Sequence, residues 1–358
     1  MTYRIPIGPY HPALEEPYKI ELVCEGETIR DAELKVGYNF RGIEYLAERR
    51  NYIQDIALVE RVCGICSNVH TLSFCQCVER LAGIQVPQQA VYVRTVVAEL
   101  ERLHSHILWA GVAAEIIGFQ TMFMRCFALR EQVMDVLEAI SGNRVNYAIN
   151  RVGGVNRTIQ DPRSIRVVID GLEQDLARTV IPIFTSDRSV RARCAGVGVL
   201  DRSTALAWGV VGPTARASGL DQDMRKAAPY AAYAQVDFCV PVETAGDVYA
   251  RLVVRALEMV ESCRIIRQAL DELPGGDWHG PDFVAVPAGV GLSRIEGPRG
   301  EVFYYVASDG SEIPARVRVR TPTFANMPVV RLMLQNAALA DAPLIQASID
   351  PCYSCTDR

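Results

Sequence analysis

The sequence predicts a helix-dominated α+β fold, and three observations carry that prediction. Long stretches repeat apolar residues at helical spacing. The two segments that alternate apolar and polar residues are short, and each has turn residues near its middle. The chain has 358 residues, 49% hydrophobic and 22% charged, enough to bury one large core. It reads as a single large-subunit domain over residues 1–358, with long packed helices and small peripheral β-hairpins.

Residues 18–37 alternate apolar and polar around Glu25-Gly26-Glu27 and read as a β-hairpin. From Ile43 the spacing turns helical through Leu46, Tyr52, Ile56, Leu58 and Val59. A short turn holding Cys63-Gly64-Ile65-Cys66 follows, and then a helix from Val69 to Leu81. Pro87 opens a helical run over 88–118, and Phe119 to Ser141 reads as its antiparallel neighbour. The Gly- and Asn-rich stretch Gly142 to Asn156 reads as loop. Pro162 suits a first helical turn, with the helix running to about Phe184. Residues 208–235 carry Gly209, Gly212-Pro213, Gly219 and scattered charge, and read as irregular. A long amphipathic helix over 243–272 is stopped by Pro274-Gly275-Gly276. Phe303 to Arg320 reads as a second hairpin with Asp309-Gly310 at the turn. Thr321 to Asp341 reads as mostly helical, and the tail carries Cys352-Tyr353-Ser354-Cys355.

The bulk chemistry excludes several classes. A net charge of −5 without a basic stripe argues against nucleic acid as a partner. The N-terminus lacks the charged and apolar regions of a secretory signal. The most apolar run, Ile107 to Phe119, is too short to cross a bilayer and is interrupted by Glu115. Eleven cysteines at this length suit a reducing compartment, where thiols serve as metal ligands or small core residues. Cys24, Cys75, Cys77, Cys126, Cys194, Cys239 and Cys263 read as core.

The remaining four cysteines form two CxxC pairs at opposite ends of the chain, a soft multidentate metal site. A structural zinc with four cysteine ligands is one reading. Two features oppose it. Zinc ribbons join their pairs within tens of residues, whereas here nearly the whole chain intervenes. Ionisable residues also crowd the pairs in sequence: Arg41, Glu44, Glu60, Arg61, His70, Asp350 and Arg358.

Arg41-Gly42-x-Glu44, then Arg61-Val62-Cys63-Gly64-Ile65-Cys66 and His70, resembles the N-terminal signature of nickel–iron (NiFe) hydrogenase large subunits. Asp350-Pro351-Cys352-x-x-Cys355-x-x-Arg358 resembles their C-terminal signature, and Glu296-Gly297-Pro298-Arg299-Gly300 their E-x-P-R-G segment. Gly142-Asn143-Arg144 and Gly153-Gly154-Val155 resemble a further family stretch. The Gly8-Pro9-x-His11-Pro12 opening and the terminal Arg358 are similar to the energy-converting, ferredoxin-linked branch, with its Ech-type and CO-induced members. The opening, with Gly212-Pro213-x-x-Arg216-x-Ser218-Gly219, also resembles the quinone-site subunit of complex I, a relative without the four metal cysteines.

The resemblance implies a site closed by both chain ends, about 41–70 and 350–358. Nickel would be held by Cys63, Cys66, Cys352 and Cys355. Cys66 and Cys355 would bridge to an iron carrying CO and cyanide, and Cys63 and Cys352 would be terminal on nickel. Cys352 would take the proton when H2 splits. A carboxylate of the Glu15-Glu16 pair, here assigned to Glu16, would carry that proton away. Arg299 would lie over the open site, and Pro322 and Thr323 would line the cyanide pocket, Thr323 doubling as a helix cap. His70 is read as a packed residue rather than a ligand. His104 and His106 would pack the cluster side of the site or form a polar helix face.

In many relatives a C-terminal His joins the counterpart of Glu44 in binding Mg or Fe. Here Arg358 stands at that place, and a charged guanidinium cannot ligate a metal. The expectation is no Mg, or one held mainly by water, with an Arg358–Glu44 ion pair replacing its charge. The implied partners are a small subunit with a 4Fe–4S cluster, ferredoxin, and membrane ion-pumping subunits, with the chain peripheral on the cytoplasmic face. The opening around Gly8–Pro17 and residues 208–235 would meet the membrane arm. The rival is a non-catalytic coupling subunit with a four-cysteine zinc staple.

Overall fold

The computed structural model describes residues 2–11, 14, 16–280 and 285–358. It opens with an antiparallel three-stranded sheet, β1 (Thr2–Ile7), β2 (Lys19–Glu25) and β3 (Thr28–Lys35). The alternation of β2 turns Ile20, Leu22 and Cys24 into the core. The expected hairpin is β2–β3, and β1, whose strand character was not anticipated, pairs along β2 from Thr2 opposite Glu25 to Ile7 opposite Ile20.

The helix expected from Ile43 is two helices, α1 (Ile43–Ala47) and α2 (Tyr52–Glu60). Asn51 separates them because its side chain accepts from the Gln54 amide while Gln54 answers to the Asn51 amide, a capping box. Then come α3 (Ser67–Ala82), α4 (Gln88–Ile117) and α5 (Gln120–Ser141). The loop after α5 contains only the short pair β4 (Asn150–Arg151) and β5 (Gly154–Val155). α6 (Pro162–Asp175) begins with Pro162 under an Asp161 cap and passes through one π turn, Leu176–Val180, into α7 (Ile181–Ser186).

Short helices fill the next stretch: α8 (Arg188–Cys194), α9 (Arg202–Ala207), α10 (Gly212–Ala217) and α11 (Met224–Ala227). The region expected to be irregular is therefore partly helical, and all of α10 is buried. α12 (Val248–Asp271) is the long helix predicted over 243–272. The second sheet has three strands, β6 (Gly289–Gly297), β7 (Gly300–Ser308) and β8 (Arg316–Arg320), not the two of a simple hairpin. The β7–β8 connection is longer than a two-residue turn, since Ala307 pairs with Arg316. The chain ends with α13 (Pro322–Leu334), α14 (Ala342–Ser348) and α15 (Tyr353–Asp357).

Two apolar cores result. One is built mainly by α4, α5, α6 and α12. The other joins α2, α3 and the β6–β8 sheet, and contains all four paired cysteines. Gly212 is needed where the two meet: a Cβ there would lie 2.3 Å from the Arg299 carbonyl oxygen. Its φ of +69° also favours glycine. Six of the seven other cysteines are buried as expected, but Cys239 is exposed, because it follows a loop rather than a helix face. No helix among the described residues is long and apolar enough to cross a membrane.

Candidate metal centre

The first cysteine pair occupies the tight turn between α2 and α3, and the second opens α15. Cys63 Sγ lies 3.5 Å from Cys352 Sγ, and Cys66 Sγ lies 3.3 Å from Cys355 Sγ. The thiols of Cys63, Cys66 and Cys355 all lie within 4.8 Å of one another. Backbone amides point at the sulfurs: Ile65 and Cys66 donate to Cys63 at 3.3 and 3.4 Å, and Cys355 donates to Cys352 at 3.4 Å. The turns therefore supply partial positive charge where thiolates form.

Without a cation the four sulfurs cannot all ionise. Hydrogen bonds from the Cys352 and Cys355 thiols hold Cys63 well below the ordinary thiol range. Cys352 and its neighbours in turn push Cys66 and Cys355 well up. A soft cation would resolve this conflict, and four converging sulfurs are a fit donor set for nickel or zinc.

A small cavity of about 10 Å³ adjoins the sulfurs on one side. Cys66, Cys355, His70, Arg299, Pro322 and Thr323 line it, whereas Cys63 and Cys352 do not. Buried Arg299 is fixed by Asp350, through Nη2 to Oδ1 at 2.8 Å and Nε to the carbonyl at 2.9 Å, with Ser105 Oγ 3.3 Å from Nη1. Thr323 Oγ1 accepts the Cys352 amide at 3.0 Å, which leaves its own proton to give. Thr323 lies inside α13, and the N-cap position is Thr321, so the capping role expected of Thr323 is not seen.

The N-terminal segment reaches the same place. The Glu16 carboxylate accepts from the Tyr353 amide, the Ser354 amide at 3.2 Å and the Ser354 hydroxyl. Tyr18 stacks on Tyr353 with ring centroids 4.1 Å apart, which seats the strand that delivers Glu16. Glu15 lies outside the described residues.

Glu44 Oε1 accepts from Arg358 Nε and from the Val319 amide, both at 2.9 Å, and Oε2 accepts from Arg318. Burial alone would raise this carboxyl, but Arg358, the Val319 amide and Arg318 outweigh it and hold Glu44 below the ordinary range.

The role of Arg41 escaped the sequence, whereas the three histidines read as packed residues find partners. Arg41 donates to the carbonyls of Arg61 at 2.7 Å, Val62 at 2.9 Å and Ser354 at 2.7 Å, so one guanidinium holds both cysteine segments. Its Arg-Gly-x-Glu context was the available signal. His70 places Nε2 3.4 Å from Cys355 Sγ and Nδ1 2.8 Å from the Tyr304 hydroxyl. Burial lowers its pKa to about 4, so it is neutral there. His104 and His106 are fully buried, which removes the polar-helix-face option. They bond Tyr147 at 3.1 Å and Glu258 at 2.8 Å.

A helix-dominated chain whose two ends close a four-sulfur pocket belongs to a recognisable class of redox-complex large subunits. The chain matches the family described as "Respiratory-chain NADH dehydrogenase, 49 Kd subunit" over residues 117–283 and 281–358. It matches "Nickel-dependent hydrogenase" over residues 41–110. It belongs to the family that unites the complex I 49 kDa subunit with the large subunits of energy-converting hydrogenases.

Within that family it is 40% identical to the carbon monoxide-induced hydrogenase of Rhodospirillum rubrum, over 100% of this chain and 99% of that protein. It is 41% identical to the membrane-bound hydrogenase subunit alpha of Pyrococcus furiosus, over 99% of this chain and 87% of that protein. A chain in the structure of the membrane-bound sulfane sulfur reductase, an archaeal respiratory membrane complex, superposes with a TM-score of 0.95 at 33% identity. It covers 100% of this chain and 98% of its own length.

Proposed function

We propose that the chain is the catalytic large subunit of a ferredoxin-linked, energy-converting NiFe hydrogenase that interconverts protons and electrons with H2. One observation carries this reading: four thiols from the two chain ends converge beside a cavity lined by Cys66 and Cys355 but not by Cys63 or Cys352. All four sulfurs would hold the metal centre, Cys66 and Cys355 from the cavity side and Cys63 and Cys352 from behind it. A structural zinc would need neither the cavity nor the buried Arg299 beside it.

When bound, the nickel–iron centre with its CO and cyanide ligands supplies the two-electron chemistry of H2. The protein's residues do the rest. Cys352 Sγ receives the proton. Glu16, bonded to the two residues that follow Cys352, takes it toward the N-terminal segment. Arg299, immobilised by Asp350, keeps a fixed cation at the cavity wall. Thr323 and Pro322 close that wall, with the Thr323 hydroxyl free to donate to a cyanide nitrogen. Electrons enter from a small subunit with a 4Fe–4S cluster. Ferredoxin and membrane ion-pumping subunits complete the complex, with this chain peripheral on the cytoplasmic face.

The purified complex given reduced ferredoxin tests this. H2 should evolve, and Cys352→Ser should lose both H2 evolution and bound nickel. Full activity in Cys352→Ser would overturn the reading.

A further inference from the structure

Behind the cavity, a fully buried chain of ionisable groups runs from α4 to α12. His106 Nε2 lies 2.8 Å from Glu258 Oε2, and Glu258 Oε1 accepts from Arg216 Nε at 2.8 Å. Arg216 Nη1 donates to Glu296 Oε1 at 2.8 Å and lies 3.5 Å from Asp223. Asp223 is forked by Arg225 at 2.7 and 3.3 Å, and Arg225 reaches Glu99 at 3.1 Å. Glu99 also receives Arg102, and accepts the hydroxyls of Tyr233 and Ser262, each at 2.6 Å. Glu99, Asp223, Glu258 and Glu296 are thus four carboxylates against three guanidiniums. With His106 neutral, no further cation bonds these carboxylates: Arg255, a fourth buried guanidinium, lies within electrostatic reach of Glu258 but hydrogen-bonds the Arg251 and Ser348 carbonyls. The least compensated carboxylate is costly in low dielectric, and the usual relief is one bound proton.

The geometry says which carboxyl holds it. Glu99 has two guanidiniums and two hydroxyls, Asp223 has two guanidiniums, and Glu258 has one guanidinium and an imidazole. Glu296 has one edge of Arg216, shared with Asp223, and the Met224 amide at 3.1 Å. Arg102 meets the Glu296 and Gly297 carbonyls rather than the Glu296 carboxyl, and Tyr230 bonds the Glu296 backbone. Burial first, and then Asp223, push Glu296 up to about 7. Arg216 also donates to the Gln222 carbonyl at 2.9 Å, and Asp221 and Gln222 are exposed, so the chain surfaces at that turn.

We propose that Glu296 is a proton-binding site that exchanges with solvent at the Asp221–Gln222 turn and answers to the charge of the thiolate centre. One electron arriving from a reduced iron–sulfur donor adds one negative charge at the centre. One proton from water then binds a Glu296 carboxylate oxygen, and oxidation releases it. The Gly297–Arg299 segment couples the two, because it leaves Glu296 directly for the cavity wall. The coupling half rests on the hydrogenase reading, whereas the proton site does not.

Infrared difference titration of the purified complex, with glutamate labelled by carbon-13, tests it. A protonated glutamic acid carbonyl band should appear as the pH falls through about 7. The band should be missing in Glu296→Gln, and the midpoint potential of the centre in that variant should lose its pH dependence over the same range. A band that persists in Glu296→Gln would overturn the assignment. If that variant does not accumulate, the labelled wild type decides, since no titrating glutamic band means no such site. A titrating band in Glu296's place with a pH-independent potential in the wild type overturns the coupling. Absence of CO and cyanide bands with the carboxyl titration intact overturns the hydrogenase reading instead and supports the proton site.

Discussion

Arg358 Nε lies 2.9 Å from Glu44 Oε1, which ties the segment after the second cysteine pair to α1. With Arg318 on Oε2 and the Val319 amide on Oε1, the carboxylate is fully engaged. Because Glu44 is held low in the folded state, its stabilisation is present above the ordinary carboxylate pKa. It is lost as the pH falls through the lower folded value. Arg358→Gln should therefore cost about 1 kcal/mol near neutral pH, and the gap should close below about pH 4. Thermal unfolding across pH measures this. Adding Mg2+ should leave the wild-type unfolding temperature unchanged.

Arg41 is expected to matter more than its exposure suggests. Lysine keeps the charge but cannot span three carbonyls from two segments. Arg41→Lys should lose about 2 kcal/mol of stability and a measurable share of bound nickel, read by calorimetry and metal analysis. An unchanged nickel content would show that the cysteine segments close without this clamp.

Glu16→Gln separates proton transfer from assembly. The amide keeps one oxygen acceptor for the Ser354 contacts, loses the one that takes the Tyr353 amide, and cannot carry a proton. H2 turnover should fall about 100-fold or more while nickel content holds, with partial recovery in Glu16→Asp. Normal turnover would transfer the role to another group.

Asp55 is fully buried on α2, and neither carboxylate oxygen has a hydrogen-bond partner. Burial pushes it up to about 8. A folded pKa above the unfolded one means that its contribution is intact in acid and declines as the pH rises toward that value. Asp55→Asn should therefore be neutral near pH 4 and raise stability by about 1–3 kcal/mol above pH 8. Denaturant midpoints at the two pH values check it.

The site was legible in the sequence where its chemistry is local. Two CxxC turns, the Pro-Arg-Gly segment and a terminal Arg three residues after Cys355 are patterns of neighbours. Arg41's role was not, because it acts on backbone carbonyls 20 and 313 positions away. The Arg216, Asp223 and Arg225 charges read only as scattered because their partners, Glu99, Glu258 and Glu296, come from three other elements. Strand β6 was missed because glycine and charge interrupt its alternation, and β1 because only pairing with β2 makes it a strand. Long helices were easier: α4, α5 and α12 are set by their own periodicity and stop signals.

Metal analysis joined to infrared spectroscopy of the purified chain in its complex tests the central claim most directly. The account predicts stoichiometric nickel together with CO and cyanide stretching bands, all lost in Cys355→Ser. Zinc alone, without diatomic bands, would contradict it.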